Sequence, residues 1–227
     1  MCKKHPLFYV IFCVRFLRQA QDERTYDIFF PFVLSLSKYT NVIKMKIIMH
    51  RNVLITLLED YHPISQDEQS YKKRMLEFVL QHEDCFERSL VIGHITASAW
   101  LLNKNHTHAL LLHHAKLDKW FQLGGHCDGN PNVLEVAIKE AQEESGIMGI
   151  EPLSSSIFDI DIHLIPENKK EKEHYHYDVR FLLHAMSDED IVQNSESKEL
   201  RWISKNRNDL PTSEQSVVRM FDKWLLL

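Results

Sequence analysis

Three glutamates of one short segment, Glu140, Glu143 and Glu144, have the spacing of a metal-binding helix face. In a helix these positions fall within an arc of roughly 100°. Carboxylates crowded on one face repel each other, since like charges at neighbouring helical positions are destabilising. Mg²⁺ would compensate them, because it is held by a few carboxylates together with water and phosphate oxygens. The spacing therefore indicates either a magnesium site for phosphate chemistry or a merely solvated acidic face.

The residues on both sides of this helix favour the metal site. Gly124 and Gly125 precede it and allow a tight bend that exposes backbone carbonyl groups. Asn132 with Glu135 resembles a capping box at the helix start, and Gly146 is typical of a helix C-cap. We therefore predict a strand, a glycine loop and an acid-faced helix from about 132 to 145.

This segment resembles the Nudix box, whose pattern is G, five residues, E, seven residues, then R-E-U-x-E-E-x-G-U, where U is aliphatic. The matching residues are Gly125, Glu140, Ala141, Glu143, Glu144, Gly146 and Ile147. Two positions depart from the pattern, since Pro131 replaces the first glutamate and Lys139 replaces the arginine. Asp128 is our candidate to supply the missing acid. We expect Lys139 to pair with Glu135, four residues before it.

The resemblance implies an α/β fold, a Nudix-like α/β/α sandwich with a mixed sheet, preceded by a small N-terminal helical region. It also implies an Mg²⁺-dependent hydrolase, with Mn²⁺ as an alternative ion, that cleaves a phosphoanhydride bond in a nucleoside diphosphate derivative. The metal ligands that it implies are Glu140, Glu143, Glu144 and a backbone carbonyl of Gly124 or Gly125. The implied catalytic group consists of the three glutamates and Lys139.

The general base of such an enzyme often lies outside the box. Glu196 and Glu199, near Trp202, are the candidates here. Their alternative interpretation is that of ordinary exposed acids. Cys127, in the glycine loop, lacks a specified histidine and acid partner, and we treat it as incidental rather than as a nucleophile.

Two later segments, FDIDIHLIP and HYHYDVRFLLHA, resemble a bacterial subset of Nudix proteins with the loop sequence GGHCDG. Side chains alternate between the two faces of a strand, so Asp159 and Asp161 would share a face with the polar residues of the next strand. A few polar groups that converge on a cleft are typical of a ligand site. The predicted substrate contacts are His163, His174, His176, Asp178 and Arg180, with Arg180 for a phosphate. The alternative is that each is an ordinary satisfied side chain.

The rest of the chain alternates between helical and strand patterns. Helical spacing predicts one helix from His50 and a second, capped by Ser65, that runs to about His82. Strand patterns and a last helix follow at Thr96–Leu102, His108–His114, Ile157–Ile165, Tyr175–His184, Leu200–Ile203 and Ser213–Leu226. We divide the chain into an N-terminal extension (1–48), a helical lead-in (49–90) and the Nudix domain (91–227).

The N-terminal extension shows no sustained period. The apolar run Pro6–Val14 follows two lysines as in a signal peptide, but charged residues follow it instead of a cleavage site. The run is also about half the ~20 residues that a membrane span needs. Translation from Met45 or Met49 would exclude this segment, and a genuine appendage packed on the domain is the equal alternative.

Composition limits the partners of the protein. The net charge of −5 argues against a broad basic surface for nucleic acid, whereas a small anionic ligand held through a metal remains compatible. Four cysteines without regular spacing indicate neither a disulfide framework nor a cysteine zinc site, which favours a reducing, cytoplasmic setting. We expect no membrane partner and leave a homodimer open.

Two other functions stay open. A Nudix-fold module that binds a nucleotide without turnover is suggested by the altered Pro131 and Lys139 positions. A zinc enzyme could use His163, His174, His176 and Asp178, although these residues have no known ligand spacing. Turnover stimulated by Mg²⁺, binding without turnover, and stoichiometric zinc would distinguish the three.

Overall fold

An eight-stranded mixed sheet forms the centre of the computed structural model, which describes residues 50–168, 171–187 and 190–227. Its strands are β1 (Gly93–Leu102), β2 (His108–His114), β3 (Trp120–Phe121), β4 (Leu123–His126), β5 (Ile150–Pro152), β6 (Asp159–Ile165), β7 (His174–Ala185) and β8 (Ser197–Ser204). Its helices are α1 (50–60), α2 (Gln66–Gln81), α3 (Val133–Ser145) and α4 (Gln215–Leu225), with a 3-10 helix at Arg207–Asp209. The predicted helices and strands in this part of the chain are confirmed. The predicted N-terminal extension lies outside the described residues.

Strand β1 organises the sheet because it pairs with three others. It runs antiparallel to β2 and β4 and parallel to β7, with Ala97 opposite both Gly125 and Val179. Strand β2 also pairs with β3 and β8, and β7 also pairs with β5 and β6, all antiparallel. The mixture of parallel and antiparallel pairs is the predicted mixed sheet.

Alternate residues of β1 lie in two hydrophobic cores on opposite faces of the sheet. The first core contains Ile95 and Ala97, and the second contains Trp100 and Leu102. Helices α1, α2 and α3 contribute to the first core, and α4 contributes Val217, Met220, Phe221 and Trp224 to the second. Helices therefore cover both faces, as the predicted α/β/α sandwich requires.

The two helices before the sheet pack into its first core. Ser65 caps α2 by accepting a hydrogen bond from the backbone N–H of Glu68 at 3.2 Å. Met75 and Phe78 are buried, and the Phe78 ring stacks on Tyr177 of β7 with 3.9 Å between centroids. None of the described helices has the length and apolar character needed to cross a membrane.

A buried ionic network joins α2, α4 and β6. Lys223 of α4 lies 2.9 Å from Glu68 and 2.7 Å from Asp159, and Arg219 lies 2.9 Å from Asp159. Tyr61 donates a hydrogen bond to Glu68 at 2.5 Å. Buried charges require such pairing, because removing one partner leaves an uncompensated charge at a cost of about 3–5 kcal/mol.

Candidate functional site

The acidic helix α3 begins and ends where its sequence indicates. The Asn132 side chain accepts a hydrogen bond from the backbone N–H of Glu135 at 3.3 Å. At the other end, Gly146 has a φ of 77°, a left-handed conformation that favours glycine. The fully buried Ala137 and Ala141 hold the helix against the first core, which leaves its acidic residues beside strand β4.

The two glycines before the helix lie in strand β4 and not in the predicted loop. A Cβ on Gly125 would collide with the Glu140 carboxylate, and one on Gly124 would lie 2.8 Å from the carbonyl oxygen of Ala97. Close approach, rather than a tight bend, is therefore why glycine is needed here. The backbone N–H of Gly124 donates a hydrogen bond to Glu144 Oε2 at 2.8 Å.

Glutamates 140 and 144 thus face the glycine strand, and their surroundings disfavour the charged form. Burial raises the pKa of Glu144 to about 8, although the Gly124 hydrogen bond opposes this. Burial also raises the pKa of Glu140, against the effect of Lys139. Glu143 is the exposed member of the set, with 57% of its side chain accessible. A cation between Glu140 and Glu144 would offset the cost of their burial, so these residues fit the predicted metal.

Lys139 contacts the acidic face itself, and the predicted pair with Glu135 is wrong. Its Nζ atom lies 3.1 Å from Glu143 Oε2 and 3.4 Å from Glu140 Oε1. Two carboxylates on one side attract the ammonium group more strongly than a single carboxylate on the other. Lys139 therefore draws Glu143 towards itself and partly neutralises the helix face.

Asp128, predicted to replace the acid missing at Pro131, is paired with Arg88. Its two carboxylate oxygens lie 2.5 and 2.8 Å from the guanidinium nitrogens of that arginine. The hydrogen bond from Arg88 lowers the pKa of Asp128. Both side chains are about half exposed, so the observed partner of Asp128 is an arginine at the loop surface.

Of the two candidate bases, Glu196 has an electrostatic effect on the acidic helix, since its charge helps to raise the pKa of both Glu140 and Glu144. Glu199 instead forms an ion pair with Arg201 at 2.7 Å. Backbone contacts fix the segment before Glu196 against α3, because Val192 donates to the Ser145 carbonyl at 2.7 Å. The sequence carries no signal for this contact.

The polar residues of β6 and β7 share one face of the sheet, as the alternation of their side chains predicts. Opposite pairs in the register are His163 with His176, Asp161 with Asp178 and Asp159 with Arg180. His163 is 42% exposed, whereas His174 is buried. Strand alternation therefore places the five predicted contact residues on one face. Their exposure to solvent nevertheless differs widely.

Arg180 is paired with three aspartates, which speaks against the predicted contact with a phosphate. Its guanidinium group is 1% exposed and lies 2.7 Å from Asp178, 3.0 Å from Asp159 and 3.5 Å from Asp161. Burial opposes the charge on Arg180, but the three carboxylates raise its pKa above the usual value. A guanidinium group held in this way stabilises the interior of the fold by pairing with these carboxylates.

Asp178 has the same internal role. It is 2% exposed and accepts hydrogen bonds from Thr96 at 3.0 Å, Ser98 at 2.7 Å and Gln122 at 3.2 Å. These donors come from β1 and from the residue before β4. Asp178 of β7 therefore links its strand to β1 and to the segment before β4.

Two histidines that sequence reasoning missed complete this face. The His94 ring lies 4.8 Å from His176, 5.1 Å from His174 and 5.0 Å from His126, between ring centroids. Burial lowers the pKa of His94 to about 4 and also lowers the pKa of His126 and His176. Extending the β1 pattern two residues before Thr96 would have placed His94 on this face. The pairing of β1 with β7, which brings it to His176, has no local signal.

The two cysteines of the described residues are buried in the first core. Burial raises the pKa of Cys85 to about 12 and that of Cys127 above its usual range. A thiolate is therefore disfavoured, in keeping with our interpretation of Cys127 as incidental.

Similar chains include a hydrolase of the NUDIX family from Clostridium perfringens, 27% identical, where the match covers 59% of this chain and 97% of that one with a TM-score of 0.45. A MutT NUDIX hydrolase from Burkholderia pseudomallei is 20% identical, with coverage of 58% and 97% and a TM-score of 0.45. The dihydroneopterin triphosphate pyrophosphohydrolase from E. coli is 13% identical, with coverage of 58% and 94% and a TM-score of 0.46.

The sequence itself decides the family. No protein of curated function matches the chain significantly. The model of the NUDIX domain matches residues 93–225, which is more than half of the chain and includes the acidic helix with its glycine strand. The chain belongs to the Nudix family.

Proposed function

We propose that this protein hydrolyses a phosphoanhydride bond in a nucleoside diphosphate derivative, with Mg²⁺ or Mn²⁺ as its cofactor. The observation that supports this most is the position of Glu144, which is buried against the glycine strand and fixed by the Gly124 N–H. A carboxylate that is held and desolvated in this way, beside Glu140, has the setting of a cation ligand.

The metal ligands in this proposal are Glu140, Glu143, Glu144 and a backbone carbonyl of Gly124 or Gly125. When bound, the cation supplies charge neutralisation at phosphate oxygens and activates water. Lys139 holds Glu143 close to the acidic face, and its charge limits repulsion among the carboxylates.

Glu196 is the general base in this proposal. It is exposed, it comes from a segment that is anchored to α3, and its charge acts on the buried Glu144 and the partly buried Glu140. Glu199 is less suitable because its carboxylate is engaged by Arg201. One of the box glutamates would take the same role if Glu196 proved dispensable.

The substrate contact that we retain is His163, the most accessible of the five predicted residues. Asp178 and Arg180 are assigned to the support of the sheet, since both are buried and fully engaged with other side chains. A cytoplasmic location and a homodimer stay predictions.

The proposal is tested by assaying pyrophosphate and nucleotide products over nucleoside triphosphates, nucleotide sugars and dinucleoside polyphosphates, with and without Mg²⁺. We expect Mg²⁺-stimulated turnover of at least one class, and a loss of orders of magnitude in Glu144→Gln. Glu135→Gln is the matched control, because Glu135 is an exposed glutamate of the same helix. Tight binding without turnover across the panel would instead favour the nucleotide-binding module.

A further inference from the structure

We infer that His94, His174 and His176 form a second metal site, specific for a transition-metal ion such as Zn²⁺. The site lies on the face of the sheet opposite the acidic helix. It goes beyond the proposed hydrolase activity and does not depend on it.

Backbone pairing brings these histidines together. His94 of β1 stands opposite His176 of β7 in the parallel register, and His174 lies two residues earlier on the same face of β7. One nitrogen atom from each ring lies within 4.8 Å of the other two.

The geometry of His174 is that of a metal ligand. Its Nδ1 atom lies 2.7 Å from the backbone carbonyl oxygen of Lys172, so the ring donates its N–H there and its Nε2 atom carries the lone pair that a metal ion would use. That Nε2 atom lies 3.2 Å from Nε2 of His176. Two nitrogens that bind zinc tetrahedrally at about 2.0–2.1 Å would stand about 3.3 Å apart.

His94 provides an independent observation. It is 3% exposed, and neither of its ring nitrogens has a hydrogen-bond partner in the described structure. A buried polar group left unsatisfied costs about 1–3 kcal/mol. A bond to a metal ion between His94 and His176 would satisfy one of these nitrogens and turn the cost into a binding contribution.

The ligand set separates this site from the acidic one. Imidazole nitrogens suit zinc, whereas magnesium prefers oxygen ligands. Consecutive residues of β4 face opposite ways, since Gly125 abuts Glu140 while the His126 ring lies 5.0 Å from His94. Three histidines leave a fourth tetrahedral position for water or an anionic ligand. The ion would link β1 to β7.

The test is Zn²⁺ binding by the full chain after removal of metals with a chelator, measured by calorimetry in excess Mg²⁺. Co²⁺ serves as a spectroscopic probe of tetrahedral coordination. We expect one Zn²⁺ per chain, an intense visible Co²⁺ spectrum and a higher melting temperature with Zn²⁺. His174→Gln and His176→Gln should each weaken Zn²⁺ binding by about 100-fold or more, beyond the effect of outer-shell residues.

Two controls separate this site from other metal binding. His62→Gln, which changes an exposed histidine, should bind Zn²⁺ like the wild type, and so should Glu144→Gln, which damages only the acidic site. The inference is wrong if the wild type retains no Zn²⁺ in excess Mg²⁺, or if Glu144→Gln loses the ion while both histidine variants keep it. If the histidine variants do not fold, the wild-type Co²⁺ spectrum decides, since octahedral coordination would contradict the site.

Discussion

The Oε2 atom of Glu144 accepts a hydrogen bond at 2.8 Å from the backbone N–H of Gly124, which joins the acidic helix to the glycine strand. This bond positions a carboxylate that is only 7% exposed. The orientation of Glu144 is therefore built into the fold, while burial disfavours the charged form of its carboxylate.

The first prediction concerns the stability of metal-free protein against pH. The folded-state pKa of Glu144, about 8, lies above its unfolded value of about 4.3, so the folded state binds the proton more tightly. Stability should fall as pH rises through this window, by at most about 1.4 kcal/mol per pH unit. Glu144→Gln should flatten the slope, since its amide oxygen still accepts the Gly124 hydrogen bond. Urea unfolding in EDTA measures this, with Glu143→Gln as control; parallel curves for wild type and Glu144→Gln would refute it.

Local patterns made the acidic helix predictable, because its cap residues, its spacing and its buried stripe all belong to one continuous segment. The function of the glycines was harder to judge. Sequence indicates that Gly124 and Gly125 are needed, but only the packing of Glu140 against Gly125 shows that the need is for space.

The features of the site that the sequence could not predict arise mainly from contacts between segments that are distant in the chain. Strand alternation correctly placed Arg180 beside Asp178, yet its burial depends on Asp159 of another strand and on the packing of α4. His94 likewise gains its neighbours only through the pairing of β1 with β7. The partner of Lys139 was wrong because both alternatives satisfy helical spacing, and the choice depends on total local charge.

A second prediction is that Gly125→Ala will damage the acidic site. The added methyl group would occupy the space of the Glu140 carboxylate, so that side chain must move. A displacement of about 1 Å at a reactive site can lower the rate about 100-fold. Mg²⁺-dependent turnover and circular dichroism should be measured together. Normal turnover in a folded Gly125→Ala protein would show that Glu140 need not occupy this position.

Replacement of Lys139 by Arg should leave turnover within about threefold of the wild type or raise it. Arg keeps the charge near Glu143 and adds a planar fork of donors that can engage both neighbouring carboxylates. The measurement is kcat and KM on a responsive substrate with Mg²⁺. A large loss of kcat would mean that the site is adapted to lysine.

A chain that begins at Met49 should fold and keep the activity of the full chain. We expect this because α1 follows Met49 directly, and its residues Leu54 and Leu58 pack in the first core with the sheet. Melting temperature and Mg²⁺-dependent turnover of the two chains should agree. If the shorter chain fails to fold, the N-terminal segment belongs to the domain.

The last prediction concerns Asp159, which is fully buried among three cationic side chains. Burial alone would raise its pKa, but Arg219, Arg180 and Lys223 lower it below the usual value. The stabilisation is therefore present above the unfolded pKa of about 3.9 and is lost as pH falls through the folded value. Asp159→Asn should cost about 3–5 kcal/mol at pH 7, because it leaves buried cations uncompensated, and the loss relative to wild type should shrink in acid.

The control is Asp222→Asn, which breaks an exposed ion pair with Arg207 and should change stability little. Urea unfolding at several pH values measures both, and an equal, pH-independent effect of the two substitutions would show that the buried network does not depend on the charge of Asp159.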